Sequence, residues 1–266
     1  MPNIRSQAPA PLLVADHLRK VYTGHGNDNA VIEDVSFSLS KGEIVSVVGP
    51  SGCGKTTLLN LLCGLLPMTS GTVSWRGEPL NGMPKRVGYM LQKDLLLPWR
   101  TALGNTMLGL ELLPGTKREQ SERAMQMLKV VGLTGFRDYY PSALSGGMRQ
   151  RVALARTLVT DPEVLLLDEP FATLDFQTKL LLQGDMARLV RSEGRSLLMI
   201  THDVEEAVSL SDRVVVLSHR PCAIRAVHQI ILETDRQDMV QARRSVRFND
   251  YVHTIWSQLE VRGVNE

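Results

Sequence analysis

Short runs of apolar, often β-branched residues recur along the chain and predict buried strands. They cover residues 43–48, 163–167, 196–200 and 213–217, with a further run at 86–91. Continuous apolar runs of this length are typical of strands that are covered on both faces. Residues 176–191 instead repeat their apolar positions at helical spacing, which predicts an amphipathic helix between two of these strands. The pattern therefore indicates an α/β protein.

Other patterns divide the rest of the chain. Residues 12–48 predict short strands, and the alternation in Val35–Leu39 is typical of a half-buried antiparallel strand. Residues 98–155 are mostly helical in pattern, with breaks at Pro114-Gly115 and Gly132, and predict an inserted helical subdomain. We expect a flexible N-terminus at 1–10, a main domain at 11–238 and a helical extension at 239–266.

One face of that extension is apolar and has two interpretations. It is expected either to pack onto the core or to contact another protein. Its apolar residues are Phe248, Val252, Ile255, Trp256 and Leu259.

Composition narrows the class of protein. The formal net charge of the 266 residues is only +2, so charge gives no argument for a nucleic-acid partner. No apolar run approaches the ~20 residues of a membrane span, and the N-terminus has no signal-peptide core. Three cysteines, Cys53, Cys63 and Cys222, follow no metal-binding spacing and suit a reducing compartment. We expect a cytoplasmic globular protein.

A Gly-rich segment between the strand at 43–48 and a leucine-rich helical run predicts a phosphate-binding loop. Its residues are Gly49, Pro50, Ser51, Gly52, Cys53, Gly54, Lys55, Thr56 and Thr57. Glycines let backbone N–H groups converge on phosphate oxygens, and the following helix adds its positive dipole. Lys55 is expected to reach the β- and γ-phosphates and Thr56 to ligate Mg²⁺. The alternatives are an ordinary Gly-rich turn and, for Cys53, a small side chain that is tolerated there.

Two carboxylates follow the strand at 163–167. Because ligands of open α/β sheets bind at the carboxyl ends of strands, Asp168 is placed to hold Mg²⁺ and Glu169 to polarise an attacking water. The alternative is that both residues simply cap the strand before Pro170.

The segment Leu144–Arg151 precedes another helical run. Ser145 is expected to cap that helix, and Gly146 and Gly147 make its N-terminus a second possible anion site. An ordinary serine-capped helix explains the same residues equally well.

Leu144-Ser-Gly-Gly-Met-Arg-Gln-Arg151 resembles the signature motif of ATP-binding cassette (ABC) ATPases, and other motifs of that family occur in order between about residues 11 and 230. Tyr22 resembles the residue that stacks on adenine, and Gln92 the glutamine that joins the metal and water site to the transport partner. Residues Ala172–Asp175 resemble the loop that crosses the dimer interface, although the family often has Ser-Ala at its first two positions. His202 resembles the γ-phosphate-sensing switch histidine. Each of these three residues also has an alternative without a role in ATP hydrolysis. Tyr22 would be a surface aromatic, Gln92 a polar residue at the end of a strand and His202 a structural histidine.

The resemblance implies a P-loop NTPase (RecA-like) core with an antiparallel β subdomain and an inserted α-helical subdomain. It also implies an ATPase that uses Mg²⁺, with Glu169, His202 and Gln92 as catalytic residues and Thr56, Gln92 and Asp168 at the metal. In the family, the signature residues Ser145, Gly146, Gly147 and Gln150 contact ATP bound by a second subunit. A homodimer is therefore expected.

A further resemblance concerns the transport branch. Three segments resemble the corresponding segments in ATPases of importers for nitrate, sulfonate, taurine or pyrimidine precursors. They are Leu95-Leu-Leu-Pro-Trp-Arg100, the tail at 242–248 and Ile255-Trp256. This implies a peripheral protein on the cytoplasmic face of the inner membrane, with ABC permease subunits as partners, a solute-binding protein as an indirect partner and no nucleic acid. Leu95, Leu96, Leu97 and Trp99 would receive a permease helix, or else pack under the helical subdomain.

A non-transport cassette ATPase that acts on nucleic acid or ribosomes is the alternative function. Such proteins generally join two cassettes or carry coiled-coil or zinc insertions, none of which is recognised in this sequence. A P-loop kinase is disfavoured by the Leu144–Arg151 motif.

Overall fold

The computed structural model of the protein describes residues 11–24, 27–234 and 238–259. Its strands are β1 (Leu13–Gly24), β2 (Asn27–Leu39), β3 (Ile44–Val48), β4 (Ser70–Trp75), β5 (Glu78–Pro79), β6 (Val87–Met90), β7 (Val164–Asp168), β8 (Ser196–Ile200), β9 (Arg213–Leu217) and β10 (Cys222–Gln229). Its α-helices are α1 (Lys55–Leu62), α2 (Ala102–Met107), α3 (Lys117–Val130), α4 (Gly146–Leu158), α5 (Phe176–Ser192), α6 (Val204–Leu210), α7 (Met239–Arg244) and α8 (Val246–Leu259).

The parallel half of the sheet forms the centre of the fold. Strands β9, β3, β8, β7 and β6 pair in parallel in that order, and every residue of β3, β7 and β8 is buried. Helices cover both faces, which explains why these strands consist of continuous apolar runs. The strands predicted at 43–48, 163–167, 196–200 and 213–217 are confirmed, with shifts of at most one residue at an end.

The antiparallel half joins this core through one strand. Its order is β5, β4, β1 and β2, and β10 connects it to the core by pairing in parallel with β2 and antiparallel with β9. The parallel pairing is short, with Cys222 opposite Ile32 and Ala223 opposite Asp34. Val35, Phe37 and Leu39 are buried while Ser36 is exposed, so the predicted alternation in this strand is confirmed.

Helices α2, α3 and α4 occupy the interval in which a helical pattern was predicted. The N-terminus of α3 is fixed by a capping box, in which Thr116 and Glu119 satisfy each other's backbone N–H groups. Leu128 of α3 and Val152 and Leu154 of α4 are buried in one cluster with Leu165 and Leu167 of β7. This packing attaches the helices to the strand that carries Asp168.

The extension predicted at 239–266 is helical over most of its described residues, but it is not one continuous helix. Two helices, α7 and α8, are separated at Ser245, whose backbone leaves the helical region at φ −58° and ψ 137°. Phe248 and Ile255 are buried against α6 and β9, as the core-packing interpretation predicts. Trp256 does not share that buried face and is 44% exposed. The expectations for residues 1–10 and 260–266 lie outside the described residues.

In the described part of the chain, the helices are too short or too polar to cross a lipid bilayer.

Candidate nucleotide site

A cleft opens at the carboxyl ends of β3 and β7, where ligands of open α/β sheets bind. Its floor comes from the predicted phosphate loop, namely Ser51, Gly52, Gly54, Lys55, Thr56 and Thr57. Tyr22, Val31, Gln92, Asp168, Glu169 and Arg220 line its walls. The structure thus brings together most of the predicted ATP-binding residues, although they come from distant parts of the sequence.

The loop before α1 has the backbone geometry that phosphate binding requires. Gly52 and Gly54 have φ values of +74° and +123°, which side chains disfavour. A Cβ on Gly54 would stand 2.8 Å from Cγ1 of Val31, so the loop packs closely against β2. The buried Lys55 ammonium donates to the carbonyls of Gly49 at 2.8 Å and Pro50 at 2.9 Å. No side chain caps the N-terminus of α1, which leaves its backbone N–H groups for a ligand.

Asp168 and Thr56 meet at the end of β7. The Thr56 hydroxyl donates to Oδ2 of Asp168 at 2.7 Å, and Asp168 is only 2% exposed. Burial raises the pKa of Asp168, although the hydrogen bond from Thr56 opposes this shift. A buried carboxylate beside a hydroxyl is an oxygen-ligand set that suits a hard divalent cation.

Glu169 lies between Gln92 and His202. Nε2 of Gln92 is 3.3 Å from one carboxylate oxygen of Glu169, and Nδ1 of His202 is 3.3 Å from the other. The backbone of Glu169 has φ +50°, and its N–H donates to the Ile200 carbonyl of β8 at 2.9 Å. All three residues predicted as catalytic therefore lie together at this edge of the sheet.

Tyr22 stands at the opposite end of the cleft, on β1. Its side chain is 42% exposed, and the ammonium of Lys20 lies 5.0 Å from its ring centroid. Lys20 is held there because it donates to the Pro67 carbonyl at 2.7 Å. The ring is thus fixed on the antiparallel half of the sheet, apart from the carboxylates on the parallel half.

The signature residues lie outside the cleft of their own chain. Ser145 caps α4 by accepting from the N–H of Met148 at 3.2 Å, and Ser145 and Gly146 are exposed. A Cβ on Gly147 would meet Leu174 at 3.1 Å, so the signature packs against the 172–175 loop. Neither Ser145 nor the two glycines line the cleft.

Gln150 differs from the other predicted signature contacts. Its side chain is 4% exposed and donates to the backbone carbonyl of Glu169 in the same chain at 3.4 Å. This buried position does not match the expected contact with a nucleotide held by a second subunit. Gln150 lies one turn further into α4 than Gly146, where the helix contacts the residue that follows β7.

Arg220 is a cleft residue that the sequence reasoning missed. Its Nε donates to the Ala30 carbonyl at 3.4 Å, which places it beside the antiparallel half of the sheet. No carboxylate of the described residues pairs with it in the structure. The signal that could have found it is position, because Arg220 lies in the loop after β9, at the same sheet edge as the other site loops.

The loop after Gln92 presents apolar side chains to solvent. Trp99 is 70% exposed and Leu95 is 53% exposed, whereas Leu96 packs against the core. The buried Asn105 fixes this loop, accepting from the N–H of Leu97 at 2.7 Å and donating to the carbonyl of Arg100 at 3.0 Å. Core packing, the alternative for Trp99, is therefore wrong.

Within the described ranges, no group of three or more His, Cys, Asp or Glu side chains could hold a metal by itself. Cys53, Cys63 and Cys222 are free and buried, and burial raises the pKa of the Cys53 thiol.

Known proteins resemble both the sequence and the fold. Residues 32–172 match the family model described as ABC transporter. The uncharacterized ABC transporter ATP-binding protein MJ0412 of Methanocaldococcus jannaschii is 44% identical over 239 residues, which cover 90% of this chain and 88% of that protein. The taurine import ATP-binding protein TauB of Escherichia coli K12 is 43% identical over 210 residues, 79% of this chain and 81% of TauB.

A solved dimeric structure of MJ0796, described as a bacterial ABC transporter cassette, matches with a TM-score of 0.77 and 28% sequence identity. The match covers 82% of this chain and 99% of MJ0796. A post-hydrolysis state of the same cassette, bound to ADP and Pi, matches with a TM-score of 0.76.

Proposed function

Because the protein belongs to the ABC transporter family and is an ATP-binding ATPase subunit with the cassette fold, we propose that it powers the import of a small solute. The observation that carries the proposal is the arrangement at the end of β7, where Asp168 contacts Thr56 of the phosphate loop and Glu169 lies between Gln92 and His202. The alternative role on nucleic acid or ribosomes finds no support among the relatives.

ATP binds in the cleft with its phosphates on the loop and its adenine towards Tyr22. The convergent backbone N–H groups at the start of α1 attract the phosphates, and Lys55 exchanges the Gly49 and Pro50 carbonyls for phosphate oxygens. Tyr22 is placed to stack on adenine from the antiparallel half of the sheet. This arrangement uses both halves of the sheet for one ligand.

The residues around Asp168 fit Mg²⁺. Thr56 and Asp168 offer a hydroxyl and a carboxylate 2.7 Å apart, and Gln92 can add an amide oxygen. Mg²⁺ in nucleotide sites is held by one or two protein oxygens together with phosphates and water, so a larger acidic cluster is unnecessary. When bound, the cation neutralises charge on the phosphates during hydrolysis.

Glu169 acts as the base that orients and polarises the attacking water. Its side chain is 16% exposed, so it is shielded but reachable from the cleft. The contacts from Gln92 and His202 hold one carboxylate oxygen each, which restricts the directions in which Glu169 can face. His202 senses the γ-phosphate, and Gln92 links the site to the loop that carries Trp99.

A second copy of the chain completes each site. Ser145 and Gly146 are exposed and do not line their own cleft, so with Gly147 they are free to close over ATP held by a partner. Gln150 is left out of this contact because it is buried. The solved MJ0796 structures are dimeric, which supports a head-to-tail dimer here with two shared sites.

The exposed Leu95 and Trp99 form the surface for an ABC permease subunit. They follow Gln92 directly, so a permease helix on this surface would respond to nucleotide in the cleft. Taurine import by TauB relatives supports an importer for a small solute of the nitrate, sulfonate, taurine or pyrimidine-precursor type. A solute-binding protein would then be an indirect partner, and the chain a peripheral protein on the cytoplasmic face of the inner membrane.

Glu169→Gln tests the catalytic assignment. The substitution keeps the shape of the side chain and removes the base, so turnover is expected to fall by ~10²–10⁴-fold while ATP affinity is retained. Lys55→Ala is the contrasting variant, since it should weaken ATP binding itself. Turnover close to that of the wild type in Glu169→Gln would refute the assignment, and co-purification with permease subunits tests the transport role.

A further inference from the structure

Helices α5 and α6 begin immediately after two segments of the site. Helix α5 follows the 172–175 loop and is capped by Asp175, which accepts from the N–H of Thr178 at 3.0 Å. Helix α6 follows His202 and is capped by Asp203, which accepts from the N–H of Glu206 at 3.0 Å. Contacts that fix α5 against α6 therefore also fix the 172–175 loop against His202.

A buried polar cluster joins the two helices on their inner side. The ammonium of Lys179 on α5 lies 2.6 Å from Asp203 and 3.7 Å from Glu206. Gln183, also on α5, donates to Glu206 at 2.8 Å. Thr201 donates to the same carboxylate, which is 2% exposed. Because Thr201 and Asp203 flank His202, this cluster holds the backbone on both sides of the histidine.

Arg243 of α7 joins the same two helices from the outer side. Its Nη1 is 2.9 Å from a carboxylate oxygen of Glu205 on α6, and its guanidinium carbon lies 5.4 Å from the ring centroid of Phe176 on α5. The arginine side chain is only 18% exposed, whereas Glu205 is 52% and Phe176 is 62% exposed, so Arg243 is the fixed member of both contacts. Met239, 3% exposed, anchors α7 in the core.

We infer that Arg243 is a positioning residue for ATP hydrolysis, which holds the start of α6, and with it His202, against the start of α5. The C-terminal extension is then part of the catalytic unit. His202 depends on such support because its side chain is 60% exposed and is placed chiefly by the backbone of the 201–203 segment. The inference rests on the roles proposed above for Glu169 and His202.

Steady-state kinetics of the full-length Arg243→Ala variant provide the first test. We expect kcat to fall about tenfold, because a misplacement of about 1 Å at a catalytic group can cost ~10²-fold in rate and the loss of one remote contact should move His202 by less than that. The KM for ATP should stay within about twofold, because Arg243 does not line the cleft. Arg244→Ala is the matched control, since Arg244 is the exposed neighbour on the same helix. It should leave kcat unchanged.

Two further comparisons separate a positioning role of Arg243 from a general effect on stability. If Arg243 acts through His202, Arg243→Ala should have no further effect on single-turnover hydrolysis in a His202→Ala background. The charge-reversed pair Arg243→Glu with Glu205→Arg should recover part of the kcat lost in Arg243→Glu alone, but not all of it, because a glutamate cannot replace the contact of the guanidinium with Phe176. A merely structural role predicts an equal fold loss in both backgrounds, and that result would overturn the inference.

Glu169→Gln measured in the same assay keeps the two proposals distinct. If Glu169→Gln hydrolyses ATP normally, the catalytic assignment itself fails. If Glu169→Gln is inactive but Arg243→Ala behaves like Arg244→Ala, only the inference about Arg243 is overturned.

Discussion

Replacing Gly54 by alanine tests the close approach of the phosphate loop to β2. Gly54 has φ +123°, and a Cβ there would lie 2.8 Å from Cγ1 of Val31 and 3.3 Å from its carbonyl oxygen. Gly52 is the matched control in the same loop, because its φ is +74° but a Cβ would meet nothing within 4 Å. The pair separates backbone strain from steric overlap.

The structure gives different costs for the two substitutions. Placing alanine in the left-handed region at Gly52 costs about 1–2 kcal/mol of unfolding free energy. At Gly54 the backbone strain is about 1–3 kcal/mol. The overlap with the buried Val31 adds about 1–3 kcal/mol, as in overpacked cores. We therefore expect Gly54→Ala to cost at least about 1 kcal/mol more than Gly52→Ala, and to weaken ATP binding.

A second substitution locates the source of the difference. Val31→Ala removes Cγ1, so in that background Gly54→Ala should cost about 1–2 kcal/mol less than in the wild type. The backbone strain and the approach to the Val31 carbonyl remain, which keeps the relief partial. Thermal melting measures the effect, since 1 kcal/mol corresponds to about 2–4 °C for a domain of this size. Equal melting temperatures for Gly52→Ala and Gly54→Ala, or no coupling to Val31, would refute the reasoning.

Three other predictions concern the site and its surroundings. Burial raises the pKa of Asp168 above its ordinary 3.8. The protonated carboxyl group therefore stabilises the folded state below pH 3.8, and this stabilisation is lost as pH rises through the pKa of the folded state. Asp168→Asn should thus melt higher than the wild type in nucleotide-free samples at pH 8, and the difference should shrink as pH falls towards 3.8. Trp99→Ala should weaken permease binding, measured by pull-down, by about 2 kcal/mol or more. The melting temperature should not fall, because Trp99 is 70% exposed. A destabilised variant that binds permease normally would contradict this prediction. Arg220→Ala should lower the affinities for ATP and ADP by a similar factor of about 10 or more, as for one charge-assisted hydrogen bond near the adenine end. A titration that shows a loss for ATP alone would place Arg220 at the γ-phosphate instead.

The sequence predicted the central strands well because their environment is simple. Strands such as β7 and β8 are covered on both faces, so all their positions are apolar and the run is visible without knowledge of its neighbours. The phosphate loop was equally visible, because its glycines and Lys55 are contiguous. The order of the strands in the sheet was not predicted, since pairing partners lie far apart in the chain.

The errors occurred where side-chain direction depends on tertiary packing. Gln150 belongs to a recognisable motif, yet its helical position turns it towards the Glu169 carbonyl. No glycine or proline lies within residues 239–259, so the sequence could not show that the backbone changes direction at Ser245. Arg220 has no local pattern at all, and only the fold brings it to the cleft.

The short pairing between β2 and β10 has a consequence for how this protein could diverge. Tyr22 and Val31 lie on one side of that junction, and Lys55, Asp168 and Glu169 lie on the other. Under the proposed assignment, recognition of the base and cleavage of the phosphate anhydride are encoded by separate parts of the chain. Changes on β1 can therefore alter how tightly the base is stacked while the hydrolytic machinery stays intact, so nucleotide affinity can change without loss of turnover.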